Sequence, residues 1–303
     1  MSAMEVGMVQ IFDGTPGRGL AHIREYAQTT EELGFGSLWV PDHVVFFDSY
    51  DSKYPHTESG EIDFQDDQGI LEPLMVLLAA AQVTERIRLG TSIDILTERQ
   101  PIIRANELTT LDVASNGRVE YGVGSGWSRE EYAVLGLAFE RRGKRLDEYI
   151  EALRALWTEA RPSYDGEFVS FSDVVFMPKP VQGSIPIVIG GNSPAALRRV
   201  ARLGDGWHGW NLSATDLATT LDQLDAELAA VGRTRDDVKL NIGIPFNGSL
   251  DELSAYADAC RGLGIDELVI AAGISRSRFR EQLHDLARAV GLAGADTPSK
   301  EHS

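Results

Sequence analysis

The chain has 303 residues, enough to bury a substantial core as one large α/β domain or two smaller ones. Its 28 Lys and Arg against 46 Asp and Glu leave a net charge of −18, which argues against general affinity for nucleic acid or an anionic membrane. A single cysteine, Cys260, excludes an internal disulfide and any cysteine cluster for zinc, and its place on the stripe Leu253, Tyr256, Ala257, Cys260, Leu263 predicts core packing.

The opening MSAMEVGMVQIF lacks a basic stretch ahead of a long apolar run. No later segment approaches the ~18 uninterrupted apolar residues of a membrane span. A cytoplasmic protein is expected, with a small-molecule substrate and neither nucleic acid nor membrane as partner.

Short β-branched runs alternate with amphipathic stripes along the whole chain, the pattern of parallel βα units. Strands are predicted at residues 5–12, 37–41, 87–95, 118–124, 185–189, 206–210, 238–245 and 267–272. Stripes such as Leu146, Tyr149, Ile150, Leu153, Trp157 and Leu217, Leu221, Leu224, Leu228, Val231 mark helices between them. Ser213 with Asp216, and Ser249 with Glu252, have capping-box spacing at helix starts. Eight such units fit a closed (β/α)8 TIM barrel better than an open sheet, as one domain over residues 1–303. Barrel chemistry gathers on the loops after the strands. Here these carry Asp13, Asp42 and His43, Asp94, Ser125 to Trp127, Gly190 to Asn192, Asn211 and Asn247, whereas Arg118 at a strand start is expected to be structural.

Two connections are long. Residues 44–69, aromatic and acidic, follow the second strand and are expected to form an active-site lid. Residues 161–184 form an insertion before the fifth strand, in which SYDGEFVSFSDVVF has the makings of a hairpin. The stretch PIVIGGNSPAALRRVARLGDGWHGW, from Pro186 to Trp210, reads as strand, glycine turn, capped helix and strand. Gly190 and Gly191 permit a tight turn, Ser193 is an N-cap and Pro194 a first helical residue, so unpaired N–H groups at a positive dipole end would suit a phosphate.

These residues carry a resemblance. GFGSLWVPDHVVF from Gly34, LEPLMVLLAAAQVTERIRLGTSIDIL from Leu71, SNGRVEYGVGSGW from Ser115, ERRGKRLDEYIEALRALWT from Glu140 and PKPVQGSIPIVIGGNSPAALRRVARLGDGW from Pro178 occur in family order. The chain resembles the luciferase-like monooxygenase superfamily, and within it the actinobacterial oxidoreductases that use the deazaflavin coenzyme F420. The resemblance implies a luciferase-type barrel, a homodimer, and a flavin or deazaflavin across the C-terminal face. It assigns Asp42 and His43 to the reacting ring as catalytic residues, with Asp42 also touching cofactor. Thr91, Ser92 and Ile93 match a cofactor-backing bulge containing a non-prolyl cis peptide. Ser125, Gly126 and Trp127 match a pocket loop, and Gly190, Gly191, Asn192 and Ser193 the phosphate turn.

Relatives that oxidise a phosphorylated sugar have a glutamate where this chain has Trp127, and a tryptophan within VVFF, so that substrate is not expected. Glu130 and Glu131 read as exposed helix-start acids. Arg141, Arg142 and Arg145 are within reach of an anionic cofactor tail, though solvated charges are the commoner fate. F420-dependent hydride transfer is the leading expectation; FMN-dependent oxygenation and non-catalytic cofactor binding are its alternatives.

Overall fold

The computed structural model describes residues 4–14, 19–55, 57, 59–61 and 69–292. Its strands are β1 (Glu5–Val9), β2 (Ser37–Val40), β3 (Arg88–Thr91), β4 (Val119–Val123), β5 (Tyr164–Asp165), β6 (Ser170–Phe171), β7 (Ile187–Gly190), β8 (Gly206–Trp210), β9 (Lys239–Phe246) and β10 (Glu267–Ala272). Its helices are α1 (Leu20–Glu32), α2 (Pro73–Ala81), α3 (Pro101–Ser115), α4 (Arg129–Val134), α5 (Arg142–Thr158), α6 (Pro194–Leu203), α7 (Ala214–Ala230), α8 (Leu250–Gly262) and α9 (Phe279–Ala289).

The eight longer strands close into a barrel in the order β1, β10, β9, β8, β7, β4, β3, β2, every pair parallel. This is the expected TIM barrel. Only β5 and β6 lie outside it, as the antiparallel hairpin anticipated in residues 161–184.

The two expected caps differ in an instructive way. Ser249 and Glu252 form a reciprocal capping box, with Glu252 accepting the Ser249 N–H at 2.7 Å. Asp216 is one methylene shorter, and its carboxylate takes the Ser213 hydroxyl at 2.6 Å instead of the backbone. The third strand is shorter than residues 87–95 because pairing stops at Thr91; the Ser92–Ile93 peptide is cis, and Asp94 makes one further parallel bridge to Val123.

Between sheet and helices runs a continuous apolar layer that includes Leu38, Leu89, Leu108, Ile150, Leu153, Ile187, Leu224 and Cys260. Inside the barrel, Trp39 packs with Val9, Val188 and Val269 and stacks on His208, ring centroids 5.3 Å apart. Gly90 makes room for it: a Cβ there would lie 2.2 Å from the indole. At the strand starts, the barrel is plugged by charge. Arg88 meets Glu5, Glu120 and Glu267 at 2.6, 2.7 and 3.1 Å, and Lys239 meets Glu120 and Glu267 at 2.8 and 2.9 Å. Arg118 is structural too, donating to the carbonyls of Ala81, Thr84, Ile87 and Ser115. Opposite this plug lies the mouth where the strands end. No helix among the described residues is long and apolar enough to cross a membrane.

Candidate functional site

β2 ends at the mouth and delivers Asp42 and His43 one after the other, with different environments. His43 Nδ1 lies 2.8 Å from Glu131 Oε2, and Trp127 Nε1 makes a long 3.4 Å contact with His43 Nε2. This network assigns the proton to Nδ1 and leaves Nε2 as the basic nitrogen. Glu131 also accepts the Val44 N–H at 2.6 Å. Burial works to raise its pKa, but the His43 contact and the loop N–H groups outweigh it, so Glu131 is held below the usual carboxylate range.

Glu131 corrects the reading from sequence. It is buried, not an exposed acid, because the Ser128 hydroxyl already caps its N–H at 3.0 Å and frees its side chain to turn inward. Glu130 is engaged as well. Its carboxylate accepts the N–H groups of Asp51 and Ser52 at 2.7 and 2.9 Å, which overcome the effect of burial and hold its pKa down at about 2.

Those N–H groups belong to the expected lid. Of residues 44–69, positions 56, 58 and 62–68 lie outside the described residues. Three aromatic residues of the remainder pack at the mouth. Phe46 lies 5.4 Å from the His43 ring, and Tyr50 and Tyr54 pack 5.0 and 5.2 Å from Trp127. The result is an aromatic enclosure around one imidazole.

Asp42 points elsewhere. Its carboxyl is buried, accepting the Ile95 N–H at 3.0 Å and Arg99 at 2.6 Å. Asp94 lies beside it, bound to Arg104 at 3.0 Å and to the Tyr121 hydroxyl. Burial works against the charge of both carboxyls. At Asp94, Arg104 and Arg99 prevail and keep the group ionised, whereas at Asp42 burial and the Asp94 charge push the pKa up to about 8. Glu98, with a side chain 1% exposed and neither oxygen hydrogen-bonded, is pushed up to about 9 by burial and then by Glu131 and Asp42. Sequence reading passed over Glu98, Arg99 and Arg104; they lie beyond the strand-end positions that drew the search.

The floor of the mouth is apolar. Ile93 lies across it, and a Cβ on Gly124 or Gly190 would come within 2.1 or 2.7 Å of its Cδ1. The Thr91 hydroxyl donates to the Gly122 carbonyl at 2.7 Å. Ser92 Oγ meets His208 Nε2 at 3.0 Å. His208 was missed, although the inward alternation Gly206, His208, Trp210 along β8 marked it. Ser125 accepts the Tyr132 hydroxyl at 2.7 Å through its carbonyl, and Gly126 (φ +67°) brings its carbonyl to Arg142 Nε at 3.1 Å.

At the start of α6 fewer N–H groups are free than an anion seat was expected to offer. Gly191 has φ +110°, but its N–H is taken by the His208 carbonyl at 3.1 Å, and Ser193 Oγ caps Ala196 at 3.2 Å. The Asn192 amide clamps the Trp210 backbone on both sides, at 2.7 and 3.0 Å, which orders the turn and leaves one N–H of Nδ2 and one lone pair of Oδ1 beyond the clamp.

The sequence profile described as luciferase-like monooxygenase matches residues 4–296. The chain belongs to that family. Among relatives, a Mycobacterium tuberculosis protein described as uncharacterized is 35% identical over 246 residues, 80% of this chain and 84% of its own. An F420-dependent glucose-6-phosphate dehydrogenase of Amycolatopsis mediterranei is 30% identical over 237 residues, 76% of this chain and 66% of its own. The crystal structure of the long-chain alkane monooxygenase LadA superposes with a TM-score of 0.79 at 16% identity, covering 100% of this chain and 94% of that one, a likeness of fold. This luciferase-like family member thus has an F420-dependent relative in sequence and shares its fold with a monooxygenase.

Proposed function

We propose that this protein is an F420-dependent oxidoreductase that transfers a hydride to or from a small organic substrate bearing a hydroxyl or carbonyl group. The observation that carries this reading is the His43–Glu131 pair, 2.8 Å apart at the barrel mouth beneath an aromatic lid. The 30% identical F420-dependent relative supports the choice of cofactor.

The residues present fit such a group. Ile93, Gly124 and Gly190 give a flat, apolar floor for a tricyclic ring, and the start of α6 offers a phosphate the dipole end and the N–H groups that its cap and strand pairing leave over. A bound deazaflavin supplies the carbon that accepts or donates hydride, and without the flavin nitrogen it does not activate oxygen. Around it His43 Nε2 takes the proton of an alcohol as its carbon loses hydride, or returns that proton to a carbonyl in the reverse direction. Glu131 stabilises the imidazolium formed in the first case. The lid excludes water from this exchange. Phe46, Tyr50, Tyr54 and Trp127 favour an apolar or aromatic substrate over an anionic one.

Fluorescence titration of the purified protein with F420 and with FMN tests the cofactor. Tight F420 binding with weak FMN binding is expected. Tight FMN binding with none for F420 would overturn the reading in favour of a flavin monooxygenase, and cofactor binding without turnover of any alcohol, enone, quinone or nitroaromatic would leave a carrier.

A further inference from the structure

Four cations crowd the start of α5: Arg141, Arg142, Lys144 and Arg145 stand at the positive end of a helix dipole, in a chain of net charge −18. Such a cluster is unfavourable unless each charge is answered. Arg141 and Lys144 share Glu167, the latter at 2.9 Å. Arg145 is buried and donates to the Ala138 carbonyl at 2.7 Å. Glu140, the acid next in line, is bound by Arg129.

Arg142 is the remainder. Its Nε donates to the Gly126 carbonyl at 3.1 Å, and its guanidinium lies 3.8 Å over the Phe139 ring, so its plane is fixed from two directions. Among the described residues it has no ion pair and no hydrogen bond from its two terminal nitrogens. A planar fork held by its Nε edge and its face presents those nitrogens together, in the geometry that grips a carboxylate with two bonds. The fork stands on the rim of the site. Gly126 belongs to the loop that carries Trp127 to His43, and the neighbouring Gly143 carbonyl accepts Arg199 of α6 at 3.0 Å, which places the first turn of α5 beside α6.

We propose that Arg142 is a carboxylate-binding residue that holds the acidic tail of the deazaflavin beyond its phosphate. This rests on the cofactor reading above and adds to it a means of preference, because FMN ends at its phosphate and has no carboxylate to offer. The deazaflavin riboside, with neither group, has nothing for the fork to hold.

The test is fluorescence titration of wild type, Arg142→Ala and Arg142→Gln with F420, FMN and the deazaflavin riboside. Gln retains an N–H for the Gly126 carbonyl, so it separates loss of charge from loosening of the loop. Both variants are expected to raise the Kd for F420 about tenfold, the effect of losing one charge-assisted contact, while the values for FMN and riboside stay within about twofold. Rising salt should weaken F420 binding to wild type and act less on the variants. Unchanged F420 affinity in both variants, or an equal loss for all three ligands, would sink the inference while leaving the cofactor reading standing. Failure of wild type to bind F420 would remove both.

Discussion

The division of labour between Asp42 and His43 shows how neighbouring polar residues are separated by what surrounds them. Asp42 is engaged by Ile95 and Arg99, while His43 is held by Glu131 with Nε2 toward Trp127. Replacing Glu131 with Gln keeps a hydrogen-bond acceptor for the Val44 N–H but removes the charge behind His43. It should lower kcat about 10- to 100-fold with little change in cofactor affinity or melting temperature, checked by steady-state kinetics, titration and thermal unfolding. His43→Ala should act in the same sense and more strongly. Asp42 and Glu98 have folded pKa values near 8 and 9 against ordinary values of 3.8 and 4.5. The folded state therefore holds protons that the unfolded chain has released. The stability this contributes is complete below the unfolded carboxyl range and is lost as pH rises through 8 and 9. The melting temperature should fall across that window, and Glu98→Gln, which cannot ionise, should flatten the fall; an unaltered slope would mean that Glu98 is already charged in the native protein.

At the scale of elements, the lid and the α6 turn make separable contributions. The described part of the expected lid is fastened by two backbone N–H groups to Glu130 and by the Ser52 hydroxyl, which accepts the Arg129 N–H at 3.0 Å. Glu130→Ala should raise KM several-fold and speed hydrogen exchange at residues 44–55, leaving cofactor affinity nearly unchanged. Gly191 sits at φ +110° beside the proposed phosphate seat, a backbone conformation that side chains with a Cβ rarely adopt. Gly191→Val should therefore weaken cofactor binding before it affects the chemical step, measured as a rise in Kd larger than the fall in kcat at saturation. Most of this architecture was legible in the sequence, because strand and helix periods, caps and the glycine turn are local signals. The Gly206–Trp210 and Glu267–Ala272 strands match their expected bounds, since both are short β runs closed by clear turn chemistry. What was not legible depends on distance in the chain: Glu131 meets a histidine 88 residues away, and no local pattern separates it from Glu130.

For the whole molecule, the two ends of the barrel have opposite tasks. The strand starts are closed by Arg88, Lys239, Glu5, Glu120 and Glu267, with Glu267 fully buried. Removing one cation there strands buried carboxylates. Lys239→Met should destabilise the fold by about 3–5 kcal/mol, read by denaturant unfolding, with no change in the ratio of F420 to FMN affinity. The mouth carries polar groups whose partners are far apart in sequence, and these are the ones that Trp39, stacked on His208 beneath Ser92, separates from the plug below.

Helix α4 joins the two functions of the mouth more closely than its six residues imply. Glu130 and Glu131 are adjacent on it, one holding the N–H groups of Asp51 and Ser52 and the other the Nδ1 of His43. A displacement of this one turn cannot release the cover without also disturbing the base. On the proposed function, admission of substrate and transfer of its proton would share this single latch, so that an open site would be a disarmed one.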